Sequence, residues 1–175
     1  MAVVWGTVKD HNGYIDVQSE KGKGTTFTLY FPVTREERTE DRKSVPPESY
    51  SGWGESILVV DDMPEQRELA LSMLNRLGYQ VDAVSGGEAA VAYLRSHRVD
   101  LFVLDMIMDP GMDGLETYQR LLEINPTQKA IIVSGFSRTE RVKMAQELGA
   151  GAYVRKPYIL ENLGLAVRKE LDRAG

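Results

Sequence analysis

The chain of 175 residues contains no cysteine, which removes disulfides, thiolate nucleophiles and sulfur metal ligands at once. Its two histidines, His11 and His97, stand far apart in sequence and make a poor inventory for an imidazole metal centre. No apolar run approaches the roughly 18 residues that a membrane span needs. The N-terminus also lacks the pattern of a secretory signal. Positive charge is scarce: the net charge is -5, distributed as 0 over residues 1–33, -2 over 34–55 and -3 over 56–175. No segment offers a basic surface for nucleic acid. These absences point to a protein of a reducing, cytoplasmic setting, without nucleic-acid or membrane contacts of its own.

What is present is ordinary for a globular chain, 42% hydrophobic and 27% charged. The length suits one domain of about 100–150 residues with an appendage. Residues 34–55, TREERTEDRKSVPPESYSGWGE, break the pattern, with ten of 22 residues charged, no apolar periodicity and Pro46-Pro47, Gly52 and Gly54 as punctuation. They read as a linker, with a short charged helix over 34–43 as the alternative. Trp53 is the residue there best suited to pack on something.

After the linker, ILVV (57–60), LFVL (101–104), AIIV (130–133) and AYV (152–154) are short apolar runs of the kind buried on both faces of a parallel sheet. YQVDAV (79–84) is a weaker fifth strand. Helical patterns lie between them. Ser85 with Glu88, Asp113 with Glu116 and Ser137 with Glu140 each place a capping acceptor three residues before a glutamate. Leu69, Met73 and Leu77 mark a helix over 65–77 that stops at Gly78, and Leu160, Leu163, Val167 and Leu171 share one face of the last helix. Five strands alternating with five helices predict a doubly wound α/β domain over 56–175.

In such sheets ligands bind beyond the carboxyl ends of the strands. Those ends carry Asp61-Asp62, Asp105 in LFVLDMIMDPGMDG, Ser134 and Lys156. An aspartate at one strand end is commonly a cap or turn residue. Three carboxylates, a hydroxyl and an ammonium on one edge call for more. Carboxylates gathered in a crevice need a proton or a cation among them, and hard oxygen ligands suit magnesium. With a cation present Asp105 stays ionised and is able to act as a nucleophile toward phosphorus. Magnesium, Lys156 and Ser134 are the groups that would hold the phosphoryl oxygens.

ILVVDD, LFVLDMIM, IIVSG and YVRKP, in this order, resemble the response-regulator receiver domain, over about residues 56–174. The resemblance implies a flavodoxin-like (βα)5 fold with a central five-stranded parallel sheet. It implies Asp105 as phosphoacceptor, and Asp61, Asp62, Asp105 and the backbone carbonyl of Ile107 as ligands of Mg2+. Ser134 would be the switch hydroxyl, Lys156 the motif lysine and Tyr153 the switch aromatic. The Lys156-Pro157 bond matches a position that is typically cis. Phosphoryl would come from a histidine kinase or a histidine phosphotransfer protein, and a homodimer through the helix at 138–148 and the last strand–helix pair is compatible with the family.

Two features depart from or qualify the pattern. The family loop runs from the acceptor, through two residues, to Met-Pro-x-Met-Asp-Gly, whereas here Asp109 stands between Met108 and Pro110. Ile107 and Phe136, two residues after the acceptor and after the switch hydroxyl, are bulky and apolar. Neither orients an attacking water, so a slow loss of the phosphoryl group is expected.

Residues 1–33 read as a helix end stopped by Asn12-Gly13, followed by a hairpin of YIDVQSE, a Lys-Gly-Lys-Gly turn and TTFTLYF. Gly22-Lys23-Gly24 lies between strands, where a phosphate loop would precede a helix. GKGTTFTLYFP resembles the last hairpin of the ATP-binding domain of histidine kinases, over about residues 2–32. The implied whole is a piece of a hybrid histidine kinase with a C-terminal receiver, its parent anchored to a membrane in some forms. The nucleotide-binding and histidine-bearing parts would lie before Met1, so no ATP binding or kinase activity is expected of this chain. With no output domain after Gly175, the receiver would regulate the parent kinase or pass phosphoryl onward. Two rivals are a non-phosphorylated interaction module of the same fold and an aspartate-nucleophile phosphatase. The second would want an acid where Ile107 stands.

Overall fold

A computed structural model describes residues 2–33, 45–135 and 140–173. The chain divides between residues 44 and 45 into two compact units. Among the described residues no helix is long and apolar enough to cross a membrane.

The first unit is a helix, α1 (Ala2–Asp10), and an antiparallel hairpin of β1 (Tyr14–Glu20) and β2 (Gly24–Tyr30), paired from Tyr14↔Tyr30 to Glu20↔Gly24. Asn12, at a φ of 53°, ends the helix in the left-handed region that asparagine tolerates. Gly22 and Gly24 have positive φ and close the expected turn. Val8 and Ile15 pack between helix and hairpin, whereas Val17, Phe27 and Leu29 remain exposed.

The second unit is built on β3 (Ser56–Val60), β4 (Gln80–Val84), β5 (Leu101–Asp105), β6 (Lys129–Ser134) and β7 (Tyr153–Arg155). All pairings are parallel, in the order β4-β3-β5-β6-β7. The five expected strands are all present. Alternation along each strand divides its side chains between the two faces of the sheet. Ile57, Val59, Leu101, Val103, Ile131 and Val133 join one apolar cluster with α2 (Pro64–Arg76) and α6 (Leu160–Leu171). Leu58, Val60, Phe102, Leu104, Ala130 and Ile132 join the other with α3 (Gly87–Leu94), α4 (Gly114–Ile124) and α5 (Glu140–Glu147). Burial of each valine, leucine, isoleucine or phenylalanine among them stabilises the fold by about 1.5–3 kcal/mol. This is the flavodoxin-like doubly wound architecture.

Several local expectations change in the fold. Helix α2 buries Ala70 and Leu74, with Leu77 at its end, while Leu69 faces solvent. Gly78, with a φ of 88°, does stop it. The Asp113–Glu116 cap forms, Asp113 accepting from the amide of Glu116 at 3.0 Å. The Ser85–Glu88 cap does not: the residue before α3 is Gly86, and the Glu88 carboxylate accepts instead from the Met112 amide at 3.0 Å. Ser137 lies outside the described residues.

The linker expected over 34–55 also changes. Residues 34–44 lie outside the described residues, while 45–55 belong to the second unit. A short 3-10 turn at Pro47–Ser49 delivers Tyr50 into the cluster of Leu77, Leu163 and Val167, and its carbonyl accepts from the Tyr79 hydroxyl at 3.1 Å. Gly164 of α6 lies under the Tyr50 ring, where any side chain would collide with it. Tyr50, not Trp53, is therefore the anchor. Trp53 stays exposed with Arg168 over its ring at 4.9 Å, and Arg168 is paired with Glu55 and Asp172.

Candidate functional site

The parallel order brings the carboxyl ends of β3, β5, β6 and β7 to one edge of the sheet. β3 runs into Asp61 and Asp62, and β5 ends on Asp105. Asp105 is in register with Val133, so Ser134 stands one position further along the neighbouring strand. Ser134 pairs with Arg155, and the amide of the next residue, Lys156, donates to the Ser134 carbonyl at 2.8 Å.

Asp61 is 1% exposed and Asp105 6%, so both carboxylates need partners. The Lys156 ammonium supplies the main one. Its Nζ lies 2.5 Å from Oδ2 of Asp61 and 2.8 Å from Oδ2 of Asp105. The remaining oxygens take backbone amides: Met63 donates to Oδ1 of Asp61 at 2.9 Å, and Ile107 donates to Oδ1 of Asp105 at 3.3 Å. Burial pushes the Asp105 carboxyl above the ordinary carboxylate range, and the bonds and charge of Lys156 only partly offset it. For Lys156, burial acts downward, but the bonds to Asp105 and Asp61 together prevail and hold the ammonium above its usual value.

One ammonium does not balance three carboxylates. Asp61, Asp62 and Asp105 each turn an oxygen to a common point, with these atoms within 4.8 Å of one another. Asp62 is only partly buried and leaves the cluster open to solvent on its side. An all-oxygen donor set with residual negative charge and an open side fits a hard divalent cation such as Mg2+.

The other expected residues are placed as follows. Ser134 is buried at the end of β6. Tyr153 begins β7 opposite Ile132, partly buried against the α3–α4–α5 cluster. Ile107, two positions after Asp105, is 50% exposed. Phe136 lies outside the described residues. Lys156-Pro157 is cis, and so is Asp109-Pro110 in the inserted loop. Asp109 lines a cleft of about 400 Å³ with Asp62, Ser85 and Glu88.

The sequence pattern does not single out Arg67, and it offers Glu88 only as a capping partner. Arg67 donates from Nη1 to the carbonyls of Asp61 at 2.7 Å and Asp62 at 3.0 Å. Glu88 holds the inserted loop through Met112. A guanidinium one turn into the helix after the acidic pair was the available signal for Arg67. Glu88 carried a misleading one, because its spacing from Ser85 satisfies the capping pattern.

Known proteins resemble this chain in sequence and fold. A family model described as "Response regulator receiver domain" matches residues 57–168. Sporulation initiation phosphotransferase F of Bacillus subtilis is 34% identical over 117 residues, 67% of this chain and 94% of that protein. Sensor kinase CckA of Brucella abortus is 30% identical over 185 residues, 99% of this chain but 19% of that protein. The chain thus spans about a fifth of the length of the sensor kinases it matches. Among solved structures, response regulator protein TrrA from Thermotoga maritima, in complex with Mg2+ and BeF, is 34% identical with a TM-score of 0.60 over 66% of this chain and 97% of that one.

Proposed function

The chain belongs to the response-regulator receiver family of two-component phosphorelay signalling, and from that premise we propose that Asp105 is its phosphoacceptor. The carrying observation is the pairing of the buried Asp105 carboxylate with Lys156 beside two further acids. Phosphoryl comes from the phosphohistidine of a kinase or phosphotransfer partner in the cytoplasm. The P–N bond breaks, a P–O bond forms to an Asp105 oxygen, and the electron pair returns to the imidazole, which is reprotonated.

Asp61, Asp62, Asp105 and the carbonyl of Ile107 would hold Mg2+, which when bound neutralises charge on the phosphoryl oxygens. Asp61 and Asp62 contribute the negative charge that retains the cation. Lys156 leaves its bond to Asp105 and donates to a phosphoryl oxygen instead, and Ser134 donates its hydroxyl to another. Those two residues bracket the β6–β7 end of the sheet. Tyr153 and the loop after Ser134 carry the change to the partner-binding surface.

For residues 2–32 the supported reading is the closing helix and hairpin of a histidine-kinase ATP-binding domain. The match to Sensor kinase CckA covers 99% of the chain, this segment included. The whole protein is then a hybrid kinase whose receiver follows its catalytic domain.

Acetyl phosphate with magnesium tests the assignment. A mass gain of one phosphoryl group that Asp105→Asn abolishes is expected. No gain from any acyl-phosphate or phosphohistidine donor overturns it and leaves an interaction module.

A further inference from the structure

The two carboxylates at the end of β3 sit where the ladder gives out. The Asp61 amide still donates to the Val84 carbonyl at 3.3 Å and the Met63 carbonyl accepts from α2, but the carbonyls of Asp61 and Asp62 lie between the two elements. The ladders of β3 end at Val60, paired with Leu104 on one side and Val84 on the other. Helix α2 starts only at Pro64, with Met63 before it and no side-chain cap. Residues 61–63 cross the gap, and buried or half-buried carbonyls there need donors from elsewhere.

Arg67 provides them. It sits in the first turn of α2, partly buried, and its side chain folds back over the helix start. A single terminal nitrogen, Nη1, donates to the carbonyl of Asp61 at 2.7 Å and to that of Asp62 at 3.0 Å. Both are hydrogen bonds of a charged donor, the stronger class. The arginine thus engages the backbone side of the dipeptide, and Lys156 engages the carboxylate of Asp61 from the other side.

The consequence is geometric. Where each Asp side chain points follows from the orientation of the flanking peptide planes. Rotation of the 61–62 or 62–63 peptide would carry its carbonyl away from Arg67 and swing a carboxylate out of the cluster whose oxygens now lie within 4.8 Å. A lysine ammonium sits on a shorter stem, so it reaches the two carbonyls less well than the terminal guanidinium nitrogen does.

We infer that Arg67 is the positioning residue of the cation site, locking the two peptide planes that aim Asp61 and Asp62 at the ion. The inference rests on the receiver assignment above. Groups that orient metal ligands typically account for about 10–100-fold in affinity.

The test uses the full 175-residue chain. Magnesium binding is followed by calorimetry, and phosphorylation by acetyl phosphate is followed by mass as a function of magnesium concentration. Arg67→Met should weaken magnesium binding about tenfold. It should slow phosphorylation at low magnesium and recover at saturating magnesium, so that the defect is in cation affinity and not in the saturated rate. Arg67→Lys should fall between. Leu74→Ala, which opens the core under the same helix, should lower the melting temperature and leave magnesium affinity unchanged.

Wild-type affinity in Arg67→Met overturns the inference. So does an equal loss in Leu74→Ala, which would make the effect general loosening. If the wild-type chain neither binds magnesium nor accepts phosphoryl, the phosphoacceptor reading itself fails and the positioning role falls with it.

Discussion

The ammonium of Lys156 lies 2.8 Å from the carboxylate of Asp105, and the two residues are 51 positions apart in the chain. The same nitrogen reaches Asp61, 95 positions away. Lys156 is therefore the protein group that keeps two buried acids tolerable side by side.

Replacing it with an isosteric apolar residue separates these roles. Lys156→Met leaves Asp61 and Asp105 buried with no counter-charge and should cost about 3 kcal/mol of stability at neutral pH in metal-free buffer. Without the ammonium the Asp105 carboxyl, already raised by burial, rises further above its unfolded value. The folded state then binds more protons, and stability increases as pH falls toward the carboxylate range. Urea unfolding at several pH values should show the gap to wild type narrowing on acidification.

With Asp105 as the proposed phosphoacceptor, Ile107 is the residue placed to bear on the lifetime of the phosphorylated state. Its side chain is half exposed two residues from the acceptor and cannot orient a water. Ile107→Asn adds a hydrogen-bonding amide there and should shorten the half-life of the phosphoprotein, read by mass after removal of the donor. An unchanged or longer half-life would show that the apolar side chain is no brake.

Tyr50 defines where the receiver unit begins. Its ring is 5% exposed against Leu77, Leu163 and Val167. Tyr50→Ala should therefore cost about 3 kcal/mol in urea unfolding. A chain starting at residue 56 should be correspondingly less stable than one starting at 45. Equal midpoints for the two truncations would mean that residues 45–55 only lie on the surface.

Glu170 should oppose the usual alkaline gain of a carboxylate. Burial raises its pKa above 4.5, although Arg173, Lys129 and Lys169 pull it down. Arg173 Nη2 is 2.8 Å from Oε1, yet that buried oxygen has no hydrogen bond of acceptable geometry. With the folded pKa above the unfolded one, this residue's contribution falls as pH rises from about 4.5 through the folded pKa. Glu170→Gln should raise the melting temperature at pH 7 more than at pH 4. A larger gain at the acidic end would show that the ion pair with Arg173 dominates.

The elements that were legible from the sequence are those encoded within a few neighbouring residues. LFVLD reads as a buried strand because a continuous apolar run has no other economical place, and Gly78 stops α2 because it accepts a positive φ. Errors arose where local rules compete. Ser85 and Glu88 have capping spacing, but the inserted loop brings the Met112 amide to Glu88 first. Leu69 has helical spacing, but the sheet lies under Ala70 and Leu74. The segment 45–55 has linker composition, and only the groove left by Gly164 gives Tyr50 a place to bury.

By itself the sequence determined the alternation of strands and helices, and which chemical groups stand at the strand ends, since both follow from residue type and short periodicity. The tertiary structure decided which of those groups meet. Strand order places β5 between β3 and β6, so Lys156 can span Asp61 and Asp105. The fold-back of Arg67 onto the two acidic carbonyls depends on where α2 starts relative to the end of β3. Contacts across such separations are set by the path of the chain and the reach of long side chains, neither of which a local pattern contains.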